Sequence, residues 1–192
     1  LSSKIRAERV RDLLYKVAHI NSRKTGPAVF YKTIHEELQR VLDARNFYIA
    51  LRGHEPGSIT FPYYVDELLE AQQSSPLNRS QGNGLTEYAI DQGRAMILSA
   101  AQINDLQAQG AFTLQAPAAA SWMGVPLMLN EECFGLIALK RYKQNQAYTP
   151  QDLNLLEFIS GQIAQAIERQ QREQTLQTQA ARLSAIFQNS SL

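Results

Sequence analysis

The sequence holds one cysteine, Cys133, and one tryptophan, Trp122, among 192 residues. A single thiol excludes an internal disulfide and fits a reducing compartment, so a cytoplasmic location is expected. No apolar run approaches the roughly 20 residues a membrane-spanning helix needs. The chain opens on Leu1 without a signal-peptide pattern, and the expectation is a piece excised from something longer. His19, His35 and His54 stand apart, and no His/Cys/Asp/Glu group has zinc or iron spacing. Gly82 and Gly84 in "SQGNGLTEY" do not make a phosphate loop. These absences argue against an enzyme and leave no metal motif and no haem motif.

What is present is a core. The chain is 44% hydrophobic and 19% charged, enough for one domain of about 150 residues plus extra helix. Net charge is +1 but uneven. Lys4, Arg6, Arg9, Arg11, Lys16, Arg23 and Lys24 face only Glu8 and Asp12 in the first 24 residues. Such an arm suits an anionic partner or a solvated helix face. No run of aromatics interleaves these charges, so no nucleic-acid partner is expected.

Val10, Leu13, Leu14, Val17 and Ile20 recur at helical spacing within residues 4–22. Thr25-Gly26-Pro27 breaks this helix, and Pro27 suits the first position of a second. "NFYIALRG" (46–53) and "SITFPYY" (58–64) read as strands, and "VDELLEAQ" as a short helix. Residues 74–84 read as a loop, and "LTEYAIDQG" as a helix closed by Gly93. "AMIL" (95–98) is a short strand, and 99–120 is expected to be irregular with one helical turn near Asp105–Gln109. Two strands, 121–129 and 133–143, are joined at Asn130-Glu131-Glu132. Thr149-Pro150-Gln151-Asp152 starts a helix that meets no breaker until about Gln188. Its polar stretch 168–175 is either a weakly packed segment where register changes cheaply or a plain solvated linker. Leu176, Ala180, Leu183 and Phe187 then form a seam that wants a partner helix. The order suggests an α+β domain with one antiparallel sheet and helices on its faces.

"NFYIALRG", "GLTEYAIDQGRAMIL", "SWMGVPLMLNEECFGLIALKRY" and "YTPQDLNLLEFISGQIAQAIER", in that order, resemble the GAF domain family of bacterial signalling proteins. The resemblance implies five or six antiparallel strands, first and last helices on one face, and a small-molecule pocket on the other. It implies a GAF domain over 25–170, with 1–24 an N-terminal helix and 171–192 a signalling helix or linker. The tail also resembles the helix leading into a PAS domain. The parent would then be a multidomain sensor, a histidine kinase or a cyclic-di-GMP enzyme, with its catalysis elsewhere.

Cys133 follows Glu131 and Glu132, which would raise its pKa, so it reads as a packing residue. Relatives that reduce methionine sulfoxide use several cysteines, and those that attach a bilin use a Cys beside a His; both are absent here. The spaced Asn-Lys-Phe-Asp-Glu set of cyclic-nucleotide binders is also absent. His35 in "IHEELQRVL" lacks the proline that follows a phospho-accepting His-Glu, so it reads as structural. The ligand candidates are Tyr48, Phe61, Tyr63, Tyr88 and Trp122, with Arg52 or Arg94 available for an anion. The lid would come from residues 65–120, and the sheet face that lines the pocket is left open. The expected function is a regulatory module that binds a small molecule and relays a signal through dimeric terminal helices. The alternative is a ligand-free dimerisation or spacer domain. In either case a homodimer would use Val10, Leu13, Val17, Leu176 and Leu183.

Overall fold

Strand alternation gives the sheet two differently furnished faces. The computed structural model describes residues 2–68, 77–79, 82–114 and 118–191. The chain runs α1 (Ser3–His19), α2 (Ser22–Gln39), β1 (Asn46–Arg52), β2 (Ile59–Val65), β3 (Leu77–Arg79), α3 (Leu85–Gln92), β4 (Met96–Ser99), α4 (Ala100–Ala108), β5 (Ser121–Leu129), β6 (Glu132–Arg141) and α5 (Pro150–Asn189). Six strands pair in the order β3-β2-β1-β6-β5-β4, each pair antiparallel.

Phe47, Ile49, Leu51, Met123, Val125, Leu127, Ile137 and Leu139 point to one face and pack under α1, α2 and α5. Their neighbours Tyr48, Ala50, Trp122, Leu136 and Ala138 point to the other, beneath α3 and α4. Each fully buried Leu, Ile or Phe contributes about 1.5–3 kcal/mol. Because the side-chain period is two, one strand set serves two cores.

Local chemistry fixes the boundaries. Gly26 (φ 74°, ψ 168°) interrupts α2, and Pro27 restarts it. At α5, Thr149 Oγ1 accepts from the Asp152 N–H and Asp152 Oδ2 from the Thr149 N–H, with Pro150 at the first position. The helix has 40 residues and is about 60 Å long. Its first half docks through Leu156, Ile159, Ile163 and Ile167, whereas every residue from Gln174 to Ser191 is exposed.

Four details differ from expectation. The segment 99–120, read as irregular, holds α4, nine residues capped by Ser99 and Gln102. The loop read over 74–84 contains β3. Val65, the first residue of the expected short helix, closes β2, and residues 69–72 of that helix lie outside the described ones. The β5–β6 hairpin turns on two residues, not three. Asn130 and Glu131 both have positive φ (48° and 67°), and Leu129 pairs with Glu132.

The expected N-terminal helix is packed into the same core. Leu13 and Val17 are 1% and 0% exposed beneath α2 and α5, so the domain itself occupies two positions assigned to a dimer seam. Leu176 and Leu183 are 54% and 58% exposed.

Candidate functional site

The sheet face away from the long helix holds a cavity of about 110 Å³ between β1, β2, β5 and β6 and the α3–α4 layer. Tyr48, Phe61, Tyr64 and Trp122 form its aromatic walls, Ile103 and Leu114 close its apolar side, and Thr86 and Lys140 bring polar groups to it.

Trp122 reaches the cavity because two small residues clear its path. Gly124 lies two residues on, on the same face, and a Cβ there would collide with the six-membered ring of the indole. Ala138 pairs with Gly124 on one side and with Tyr48 on the other. Over this trough the indole Nε1–H donates to the Tyr48 phenol oxygen at 3.2 Å. The same phenol is 2.9 Å from Thr86 Oγ1. Burial pushes the Tyr48 phenol up from its ordinary pKa, so it stays neutral.

Lys140 continues the alternation of Leu136 and Ala138. Its Nζ donates to Tyr64 Oη at 2.6 Å and to Asp66 Oδ2 at 2.9 Å, and lies over the Tyr48 and Tyr64 rings. Burial opposes its charge, but Tyr48, Tyr64 and Asp66 outweigh burial and raise its pKa. Asp66 Oδ2 also accepts from Tyr142 Oη at 2.7 Å, and Oδ1 from the Leu68 N–H at 3.0 Å. Burial works against the Asp66 carboxylate too, yet these donors hold its pKa below the usual value.

The candidates named from sequence are dispersed. Tyr48, Phe61 and Trp122 line the cavity. Tyr63 lies on the opposite face, where its hydroxyl bonds His35 Nδ1 at 2.8 Å. The cause is a bulge: Ile49 pairs with Tyr63 but Leu51 pairs with Thr60, and the extra residue reverses the phase at Pro62. Phe61 and Tyr64 therefore share the cavity face, and Tyr64 takes the place given to Tyr63. Tyr88 packs against Phe112 away from the cavity wall. Arg52 is held at the sheet end by the Cys133 carbonyl at 2.9 Å and Asp91 at 3.5 Å, and Arg94 is exposed.

Sequence reasoning missed Lys140, Thr86 and Tyr64. The signal for Lys140 was a charge in phase with Leu136 and Ala138, both 0% exposed.

Burial pushes the half-buried Cys133 thiol up, and Sγ–H donates to the Gly135 carbonyl at 3.2 Å. Burial lowers the His35 pKa; the neutral ring donates from Nε2 to the Ala44 carbonyl at 2.6 Å and accepts from Tyr63 at Nδ1. Among the described residues no group of three or more His, Cys, Asp or Glu side chains is placed to hold a metal ion. No described helix is long and apolar enough to cross a membrane.

The family model described as "GAF domain" matches residues 25–168. No curated protein matches the sequence. Solved structures share the fold at low identity. The GAF domain of a phosphoenolpyruvate-protein phosphotransferase from Coxiella burnetii aligns with a TM-score of 0.70 and 12% identity, over 91% of this chain and 99% of that one. The free methionine-R-sulfoxide reductase of Neisseria meningitidis, solved with its substrate, aligns with a TM-score of 0.63 and 14% identity, over 90% and 95%. A phycoerythrobilin-bound GAF domain of a cyanobacterial phytochrome aligns with a TM-score of 0.63 and 14% identity, over 88% and 99%.

Proposed function

The chain belongs to the GAF domain family, and from that premise we propose that it is a sensory module: a small molecule in the cavity biases the helices on the opposite face. The observation that carries this reading is the shared sheet. Tyr48 and Trp122 line the cavity, while Phe47, Ile49 and Met123, their immediate neighbours, pack under the helices. A ligand that shifts β1 or β5 therefore moves the floor on which α1 and α5 rest. The shift is as large as the ligand's differential affinity for the two helix arrangements allows.

The output end is a homodimer through the terminal helices. Leu176 and Leu183 lie whole heptads beyond Leu155, and Ile186 whole heptads beyond Phe158. Phe158, Leu176, Leu183 and Ile186 are all exposed, so one stripe of α5 carries them along its length. The parent is a bacterial multidomain signalling protein in the cytoplasm, a histidine kinase or a cyclic-di-GMP enzyme, with a PAS domain following α5. Catalysis belongs to that parent's other domains.

The same exposed stripe also favours a second reading, a ligand-free dimerisation spacer. Native mass spectrometry of the purified domain separates the two. A small molecule carried at one per chain supports the sensor. A chain that flies only at its bare sequence mass from every host tried supports the spacer.

A further inference from the structure

The polar side chains around the cavity can be counted as donors and acceptors. An indole N–H only donates, so the Trp122 bond uses Tyr48 Oη as its acceptor. Tyr48 and Thr86 have two hydroxyl hydrogens and one bond between them. Whichever way that bond runs, one hydrogen is left over. Lys140 has three N–H groups, of which Tyr64 and Asp66 take two. Tyr64 Oη accepts from Lys140 and keeps its own hydrogen. The leftover hydrogens at Thr86 or Tyr48, Lys140 and Tyr64 are donors, and the Thr113 hydroxyl in the same lining can donate or accept.

The side-chain acceptors on the described wall are hydroxyl oxygens, those of Tyr48, Tyr64, Thr86 and Thr113. Among the described residues no side-chain carboxylate or amide lines the cavity. Asp66, the carboxylate partner of Lys140, is not among the lining residues, and it already accepts from Lys140, Tyr142 and the Leu68 amide. An ammonium would meet hydroxyl oxygens but no carboxylate among the described lining residues, and it would be buried beside the Lys140 charge without a counter-charge of its own. Size limits the choice as well. The cavity of about 110 Å³ is smaller than the engineered cavity of about 150 Å³ that takes benzene.

Resting on the sensor reading, we infer that the cavity selects a compound smaller than about one aromatic ring that presents a carboxylate or carbonyl oxygen. That oxygen receives Lys140 Nζ and the spare hydroxyl of the Tyr48–Thr86 pair. The aromatic walls enclose the rest of the molecule. Asp66 compensates the Lys140 charge, so the shared requirement is the planar-carbon oxygen, and charge decides between the two sources of it.

The single tryptophan makes this directly measurable, since the nitrogen-15 spectrum holds one indole cross-peak and its proton lies in the cavity wall. The full chain is titrated with butyrate, 2-butanone, butylamine and cyclopentane. The expected result is saturable movement of that cross-peak with butyrate or 2-butanone at affinities at least tenfold above the other two. Tighter butyrate identifies a charged acceptor and tighter 2-butanone a neutral one. Thr86→Val, which keeps the side-chain volume, or Tyr48→Phe is expected to weaken the preferred probe about tenfold, according to which hydroxyl holds the spare hydrogen. Lys140→Arg, which retains a partner for Asp66, is expected to change the ratio of butyrate to 2-butanone. Butylamine or cyclopentane binding as tightly would overturn the oxygen requirement while leaving a ligand pocket standing. Equal binding by wild type, Thr86→Val and Tyr48→Phe would overturn the assigned donors, since the two variants between them remove whichever hydroxyl holds the spare hydrogen. No saturable shift with any probe overturns the inference outright, and the sensor reading is then judged on the native mass alone.

Discussion

Trp122 and Tyr48 bond across an intervening strand: the indole N–H donates to the phenol oxygen at 3.2 Å although β6 runs between β5 and β1. The span is open because Gly124 and Ala138 keep the surface low. Gly124→Val should therefore tilt the indole off its partner. The expected loss is about 2 kcal/mol, as for overpacking in a close-packed interior. Urea denaturation measures it, and a red-shifted tryptophan emission reports the displaced ring. A variant with unchanged stability and emission would show that the glycine is not needed for the indole's seat.

Lys140→Met leaves Asp66 with its side chain 2% exposed and its main cationic partner gone. Removing one member of such a pair costs about 3 kcal/mol, because the remaining charge stays buried. Lys140→Met/Asp66→Leu should recover most of that loss, which a double-mutant cycle reads as a coupling term. Additive losses would mean that the two groups stand independently.

His35 predicts a pH dependence whose sign follows from burial. Its folded pKa lies below 6.5, so as pH falls through 6.5 the unfolded chain takes up a proton that the folded one refuses. The stability it contributes is present above pH 6.5 and is lost as pH falls toward the folded pKa. Denaturation midpoints should drop between pH 7 and pH 5 in the wild type, and drop less in His35→Gln. Parallel profiles would remove His35 as the cause.

The terminal helices divide by exposure. Leu176→Asp/Leu183→Asp should leave the fold intact and convert a dimer to a monomer in light scattering, because both residues project into solvent. Leu13→Asp, by contrast, should unfold the domain, since Leu13 lies in its own core. A double variant that stays dimeric contradicts the seam on α5.

The sheet and the long helix were legible because their signals are local: apolar alternation in "SWMGVPLML", and Thr149, Pro150 and Asp152 at one helix start. Leu13 and Val17 were legible as a helical stripe, but periodicity does not say whether a stripe meets its own domain or a second copy. The site was legible in part. Tyr48, Phe61 and Trp122 were named, yet Tyr63 was named beside Phe61, and the bulge at Pro62 turns those two to opposite faces. Asp66 joins Lys140 from 74 residues away, a contact set by strand order alone. Helix α4 did announce itself, in the Ser99–Gln102 capping box, within a segment read as irregular.

The central claim is that the cavity and α5 are coupled through the sheet they share. Hydrogen–deuterium exchange of the domain as isolated, against the same domain unfolded, stripped and refolded, tests it most directly. The account predicts slower exchange in the isolated form at Tyr48, α3 and Trp122, and altered exchange along Leu156–Ile167 on the opposite face. Differences confined to the cavity face, with α5 exchanging identically in both forms, would contradict it.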